Sequence, residues 1–169
     1  MRQIVRLQRY DSPCGEIILG SAGDELCLCD WYGKPCAEQN KRRIARVLNA
    51  EFREESSDVI RLVTKELEEY FAWKRKTFDI PLRLAGSEFQ QSVWKALLEI
   101  PYGETRNYIQ IASAVNNPKG VRAVAQAIGA NAISVIVPCH RVIGSNGSLT
   151  GFAGGLDAKR CLLELERQQ

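Results

Sequence analysis

The chain of 169 residues predicts an α/β fold of the α+β kind: a small N-terminal strand-and-helix domain, then a mainly helical C-terminal domain with a helix-turn-helix. Three observations carry that prediction. The opening residues read as three short β-prone runs divided by turn signals. From residue 36 the apolar residues change to helical spacing. Around residues 107–129, two short helical segments are joined by an Asn-Asn-Pro break.

The three runs are "QIVRLQRY", "GEIILGSA" and "DELCLCDWYG", separated by Ser-Pro-x-Gly and Ala-Gly-Asp. The stretch "CAEQNKRRIARVLNAEF" follows with helical character throughout. In "SSDVIRLVTKELEEYFAWKRK", Val59, Leu62, Val63, Leu67, Tyr70 and Phe71 recur near a 3.6-residue period and predict an inward helical face. The basic, proline-bearing stretch "KRKTFDIPLRLAG" then separates an N-terminal domain, 1–79, from a C-terminal domain, 86–169, with 80–85 as connector.

Beyond it, Ser87 and Gln90 have capping-box spacing, and Phe89, Val93, Trp94, Leu97 and Leu98 share one face of the helix they open. "PYGET" is a turn, Asn107 caps a short helix, and Asn117 is placed to cap a third with Pro118 at its first position and Gly129 at its end. Val121, Val124, Ala125 and Ile128 face inward in that helix; Lys119, Arg122 and Gln126, with Ala123 and Ala127, lie on another side. Segment 101–141 has four basic side chains (Arg106, Lys119, Arg122 and Arg141) against Glu104 alone. A small-residue face carrying an arginine suits a phosphate backbone, and a solvated helix in a bundle gives the same pattern. Ile133 to Val137 is β-branched and apolar apart from Ser134, which predicts a buried extended segment arriving at Cys139 through Pro138. Gly144, Asn146 and Gly147 make a turn, Gly151, Gly154 and Gly155 an open loop, and a last helix buries Ala158, Cys161, Leu162 and Leu165.

A net charge of +3 permits binding to a polyanion without demanding it. The N-terminus lacks the apolar core of a signal peptide, and no run is long enough to cross a membrane. The six cysteines are therefore expected as free thiols in a reducing cytosol. Cys14, Cys27, Cys29 and Cys36 lack the close pairs of a zinc site, so no metal is expected. Cys27 and Cys29 are expected on one face of a buried strand and Cys161 in helix core.

Cys139 stands apart, between a proline and the chain's one histidine. A thiol with a reference pKa of about 8.5 needs a base or a cation beside it to react at neutral pH. His140 is that base by type, and it needs a third group to orient it. Glu166 follows Leu162 by four residues and so borders the buried face of the last helix. A core cysteine beside a capping histidine also fits. On these residues alone a cysteine hydrolase and a DNA-binding module with an inert cysteine remain open.

"IVPCHRVIG", with Asn131 eight residues before the cysteine, closely resembles the O6-alkylguanine-DNA alkyltransferases (methylated-DNA–protein-cysteine methyltransferases). The resemblance continues through "NPKGVRAVAQAIGAN", "FQQSVWKALLEIPYGET" and "GFAGGLDAKRCLLELE", covering about 86–167, and more weakly through "DSPCGEIILG" and "EEYFAWKRK". It implies DNA repair by irreversible transfer of an alkyl group from O6 of guanine, and from O4 of thymine, to Cys139. In that scheme His140 activates Cys139 through water, Glu166 holds the imidazole, Asn131 stabilises the turn before the cysteine, and Tyr108 hydrogen-bonds the leaving guanine. The helix-turn-helix enters the minor groove of alkylated duplex DNA: Gly120, Ala123 and Ala127 allow close approach, Lys119 and Gln126 flank them, and Arg122 fills the gap left by the flipped base. Val142, Phe152, Ala153 and Tyr108 form the pocket. Phe152 and Ala153 replace a Tyr and a Ser of several relatives. No cofactor, no membrane and no obligatory protein partner are implied, and the expected state is a cytoplasmic monomer, nuclear in a eukaryote.

Overall fold

The computed structural model describes residues 1–168. Strands β1 (Gln3–Ser12), β2 (Gly15–Ala22) and β3 (Glu25–Trp31) form an antiparallel meander, with a fourth strand, β4 (Ala50–Glu54), on its far edge in the order β3-β2-β1-β4. β4 runs parallel to β1, so the chain must cross over, and helix α1 (Pro35–Leu48) is the crossover. The helical stretch expected to run on through Phe52 stops at Leu48 because Asn49 turns left-handed, with φ 50, and its N–H caps the Ala45 carbonyl. The residues after it pair with β1 instead.

A bulge sits between Gly20 and Ser21 opposite β3, where Leu28 pairs with Gly20 and Leu26 with Ser21. The extra residue shifts the side-chain parity of β3. Cys27 therefore packs with Val5, Leu28 and Ile44 against α1, whereas Cys29 packs with Leu26 and Trp31 on the opposite face. The two cysteines do not share a face as expected from strict alternation.

Helix α2 (Asp58–Phe71) covers that opposite face, opened by Ser57, whose hydroxyl accepts from the Ile60 N–H at 3.2 Å. Val59, Ile60, Val63, Leu67 and Tyr70 face inward, while Leu62, expected with them, is 37% exposed. The stretch 80–85 is not a free tether. Leu26 donates to Pro81 O and Arg83 to Leu26 O, which pins the stretch to the open edge of β3. That covers an edge that would otherwise be free to pair.

Helices α3 (Glu88–Leu98), α4 (Tyr108–Ala114) and α5 (Val121–Gly129) follow, with a short parallel pair, β5 (Arg106–Asn107) and β6 (Val142–Ile143), and a last helix, α6 (Leu156–Arg167). Two of the three expected capping residues, Ser87 and Asn107, close full capping boxes with Gln90 and Gln110. Phe89 and Leu98 are 37% and 40% exposed, leaving Val93, Trp94 and Leu97 as the core face of α3. Asn117 does not cap the third helix. Residues 118–119 form a turn, α5 begins at Val121, and Gly120 takes the cap position. The cysteines bring another correction. Cys14, in the β1–β2 turn, and Cys161, half-buried on α6, are joined by a disulfide with a Cα–Cα distance of 5.7 Å. Cys161 is thus neither core nor a free thiol; a separation of 147 residues hid the pairing.

Candidate active site

The residues from Asn131 to Val142 are all buried. Ile133 to Val137, expected to be extended, instead form a compact turn in which Val137 N–H donates to Ile133 O and Val135 adopts a φ of 71. A β-branched residue there costs on the order of 1–3 kcal/mol and persists only where its surroundings over-determine it. Asn131 does so: its amide donates to Val137 O at 2.9 Å while its carbonyl accepts from Ile133 N–H at 3.0 Å. The turn is also docked on β3, since Cys29 N–H donates to Ala132 O at 2.8 Å and Ser134 N–H to Cys29 O at 2.7 Å.

That turn delivers Cys139, His140 and Arg141 as one turn of 3₁₀ helix. His140 is fully buried and its Nε2 lies 2.8 Å from Glu166 Oε2. Glu166 Oε2 also accepts from the Tyr70 hydroxyl at 2.6 Å and Arg141 Nη2 at 2.9 Å, and Oε1 accepts from Arg141 Nε at 2.8 Å and the Gly103 N–H at 3.3 Å. Burial pushes the Glu166 carboxyl up, but the hydrogen bonds from His140 and Arg141 prevail and hold it well below the usual carboxylate range. An ionised carboxylate only accepts, so Nε2 of the neutral ring must carry the proton and Nδ1 is the basic nitrogen. That Nδ1 is buried and has no protein partner. Burial lowers the His140 pKa, so the ring is neutral and able to take a proton.

Burial pushes the Cys139 thiol up, Asn131 hydrogen bonding draws it down, Asp30 pushes it up, and Lys159 and Ser134 draw it down; burial wins. Lys159, on α6, is 1% exposed, and its ammonium donates to Val142 O at 2.6 Å and Thr150 O at 3.1 Å. Burial draws its own pKa down, and its charge acts on the Cys139 thiol.

Sequence reasoning missed Lys159, Arg141 and Tyr70. Lys159 was findable, since it precedes Leu162 by three residues and Glu166 by seven and so lies on the same helical face. Arg141 was counted among charges available to a polyanion; it is 6% exposed and spent on Glu166 and Ile100 O.

Cys139 lies at a cavity of about 40 Å³ that Tyr108, Ala125, Asn131, Phe152 and Ala153 help to line. Outside it a groove of about 680 Å³ shares Tyr108, Ala125 and Gly151 and adds Arg122, Val121 and Gly144. The Tyr108 hydroxyl is 2.8 Å from Thr150 Oγ1. Val142, expected to line the pocket, does not. Its N–H donates to Cys139 O and its carbonyl accepts from Lys159, while Gly144 and Ser145 form the rim. On α5, Arg122, Ala123 and Gln126 are exposed, as is Lys119 before it. Ala127 is not: at 3% exposure it faces the core, and its carbonyl accepts from Trp94 Nε1 at 2.8 Å. The open side of Gly120 is filled by the Asn117 side chain.

A buried cysteine, histidine and glutamate beneath an exposed, arginine-bearing helix define a protein with a thiol-centred site beside a basic surface. The comparisons specify it. Residues 88–168 match the model for "6-O-methylguanine DNA methyltransferase, DNA binding domain" and 5–84 the one for "6-O-methylguanine DNA methyltransferase, ribonuclease-like domain". The chain is 50% identical to the methylated-DNA–protein-cysteine methyltransferase of Methanosarcina acetivorans over 93% of this chain and 95% of that one, and 41% identical to that of Haemophilus influenzae over 94% and 84%. The structure superimposes on Mycobacterium tuberculosis O6-methylguanine methyltransferase with a TM-score of 0.82 at 40% identity, covering 97% and 93%, and on that organism's OGT in complex with DNA with a TM-score of 0.81. The chain belongs to the 6-O-methylguanine DNA methyltransferase family.

Proposed function

We propose that this chain repairs O6-alkylguanine, and O4-alkylthymine, in duplex DNA by single-turnover transfer of the alkyl group to Cys139. The observation that carries the proposal is the small compartment at Cys139 opening on the larger groove lined by Arg122. The compartment, about 40 Å³, is small beside the groove of about 680 Å³ outside it. It suits an alkyl substituent beside the sulfur, with the base in the outer groove.

In the proposed reaction the Cys139 proton passes through water towards His140 Nδ1, and the sulfur attacks the alkyl carbon. The carbon–O6 bond breaks and its electron pair goes to the guanine, with Tyr108 donating a hydrogen bond to the charge that develops. The imidazolium is stabilised by Glu166 and the thiolate by Lys159. A thioether does not leave again, so each chain acts once. Phe152 and Ala153 wall the compartment. Arg122, Lys119, Ala123 and Gln126 contact the minor groove, with Arg122 occupying the space of the flipped nucleotide. Gly120 and Ala127 act behind that surface as close-packing positions.

We assign residues 1–79 to an N-terminal domain and 86–169 to a C-terminal one, packed on a shared core, and infer a monomer that needs no cofactor and works where DNA is, in the cytoplasm or, in a eukaryote, the nucleus. No helix of the described residues is long and apolar enough to cross a membrane. The test is intact mass after mixing the chain with duplex DNA containing one O6-methylguanine. A gain of one methyl group, mapped to Cys139 and saturating at one per chain, is expected; an unchanged mass for folded protein overturns the proposal.

A further inference from the structure

The outer wall of the Cys139 compartment is the glycine-rich loop 151–155, whose backing comes from the N-terminal half of the chain. The Trp31 indole, 2% exposed at the end of β3, meets the Phe152 ring edge-on at a centroid distance of 5.8 Å. It also lies flat enough against Gly154 that a Cβ there would come within 2.7 Å of two indole carbons. A second tie is adjacent: Cys36 Sγ, at the start of α1, points at Ala153 O from 3.4 Å. The base of Trp31 is itself fixed, since its backbone N–H donates to the buried Asp30 carboxylate, which Asn40 also binds at 2.7 Å. Two residues before Trp31, Cys29 holds the turn that carries Cys139. One strand thus sets both the floor and the outer wall of the compartment.

We propose that Trp31 is a positioning residue that determines which alkyl groups Cys139 accepts, by fixing Phe152 and Gly154 at the compartment wall. The proposal deepens the alkyl-transfer assignment and rests on it. A full indole behind the loop keeps Phe152 inward and the compartment small. Removing the indole's outer ring lets the wall retreat and admits a bulkier substituent.

The experiment measures second-order rate constants for transfer from one duplex carrying either O6-methylguanine or O6-benzylguanine. The variants are Trp31→Phe, Trp31→Ala, Gly154→Ala and the double variant Trp31→Ala/Gly154→Ala, each shown to be folded by circular dichroism. Trp31→Phe keeps an aromatic core filler and so covers the case in which Trp31→Ala does not fold. Trp31→Phe and Trp31→Ala are expected to raise the benzyl-to-methyl ratio by about three- to tenfold, the worth of one edge-to-face aromatic contact. Gly154→Ala, which forces the loop off the indole, is expected to change the ratio by at least about threefold with Trp31 present and to have no effect once Trp31 is alanine. A loss of stability alone would slow both substrates together and leave the ratio unmoved. If the parent chain transfers methyl and the ratio stays constant, or the Gly154 effect is the same with and without the indole, the role of Trp31 is overturned while the transferase assignment stands. If the parent chain takes no alkyl group from either duplex, both fall.

Discussion

Glu166→Gln is the most informative single change, because it keeps shape and removes only charge. The carboxylate and its arginine partner have side chains 1% and 8% exposed, so solvent screens the pair little. Breaking a buried pair by neutralising one member costs about 3–5 kcal/mol, since the guanidinium stays buried without a counterion. The amide also aims an NH₂ at a donor on either side. Towards Oε1 it meets Arg141 Nε and the Gly103 N–H; towards Oε2 it meets the Tyr70 hydroxyl and His140 Nε2. For a chain of this size each kcal/mol shifts Tm by about 2–4 °C, so a fall of roughly 6–20 °C is expected. In the proposed reaction the imidazolium would lose its stabilising charge, and the rate should fall by at least about a hundredfold, the lower range for losing a positioned acid–base group. Differential scanning calorimetry and single-turnover transfer measure the two. A Tm within about 2 °C of the parent and a rate within about threefold would refute the idea that this carboxylate anchors both the fold and the base.

Three further outcomes are expected. Reducing the Cys14–Cys161 bond, or Cys14→Ser, frees a ring of 147 residues' separation; chain entropy sets the loss at up to about 5 kcal/mol, and an unchanged Tm in dithiothreitol would show that the bond contributes nothing. Lys159→Met removes the cation beside the sulfur, so the pH of half-maximal transfer should move upward and the rate at pH 7 fall about tenfold; an unmoved profile would deny Lys159 its electrostatic role. Acid should weaken the fold through His140, whose lowered pKa means that the unfolded chain takes its proton first, so stability falls as pH drops below about 6.5. Asp30 acts in the opposite sense: burial raises its carboxyl to about 6, and its folded form gains stability on acidification. Asp30→Asn should therefore lose more stability between pH 7 and pH 5 than the parent does, read as urea midpoints; an equal loss would remove Asp30 from the balance.

What was legible in the sequence is what depends on neighbours along the chain. Strand runs, the capping box at Ser87, the cap at Asn107 and the placing of Glu166 four residues after Leu162 all follow from local spacing. What was not legible depends on contacts between distant segments. The switch from helix to strand at Asn49 is decided by pairing with β1, and the compact turn at Ile133–Val137 by Asn131 and by the edge of β3. Arg141 looks like one more surface cation until the Glu166 carboxylate is seen to lie against it. Cys14 and Cys161 give no sign of each other at all. The misplacing of Ala127 has a simpler cause. It falls close to the border between the two faces of a short helix, where the deciding contact is with Trp94 on another helix.

The Glu166 network joins four parts of the chain. Tyr70 comes from α2, Glu166 from α6, His140 and Arg141 from the turn at Cys139, and the Ile100 carbonyl from the end of α3. A buried ion pair of this kind is seldom the most stable way to fill a core; an apolar cluster would serve as well. Its value lies in admitting one arrangement only, because every donor must meet its acceptor or be left bare in low dielectric. The demand falls on His140 in particular, whose tautomer, and hence whose basic nitrogen, is set by the carboxylate. The chain thus uses one polar knot to fix where its segments meet and which nitrogen of His140 is left free. Changes in α2, far along the sequence from Cys139, should then alter the chemistry through Tyr70 rather than through any contact with DNA.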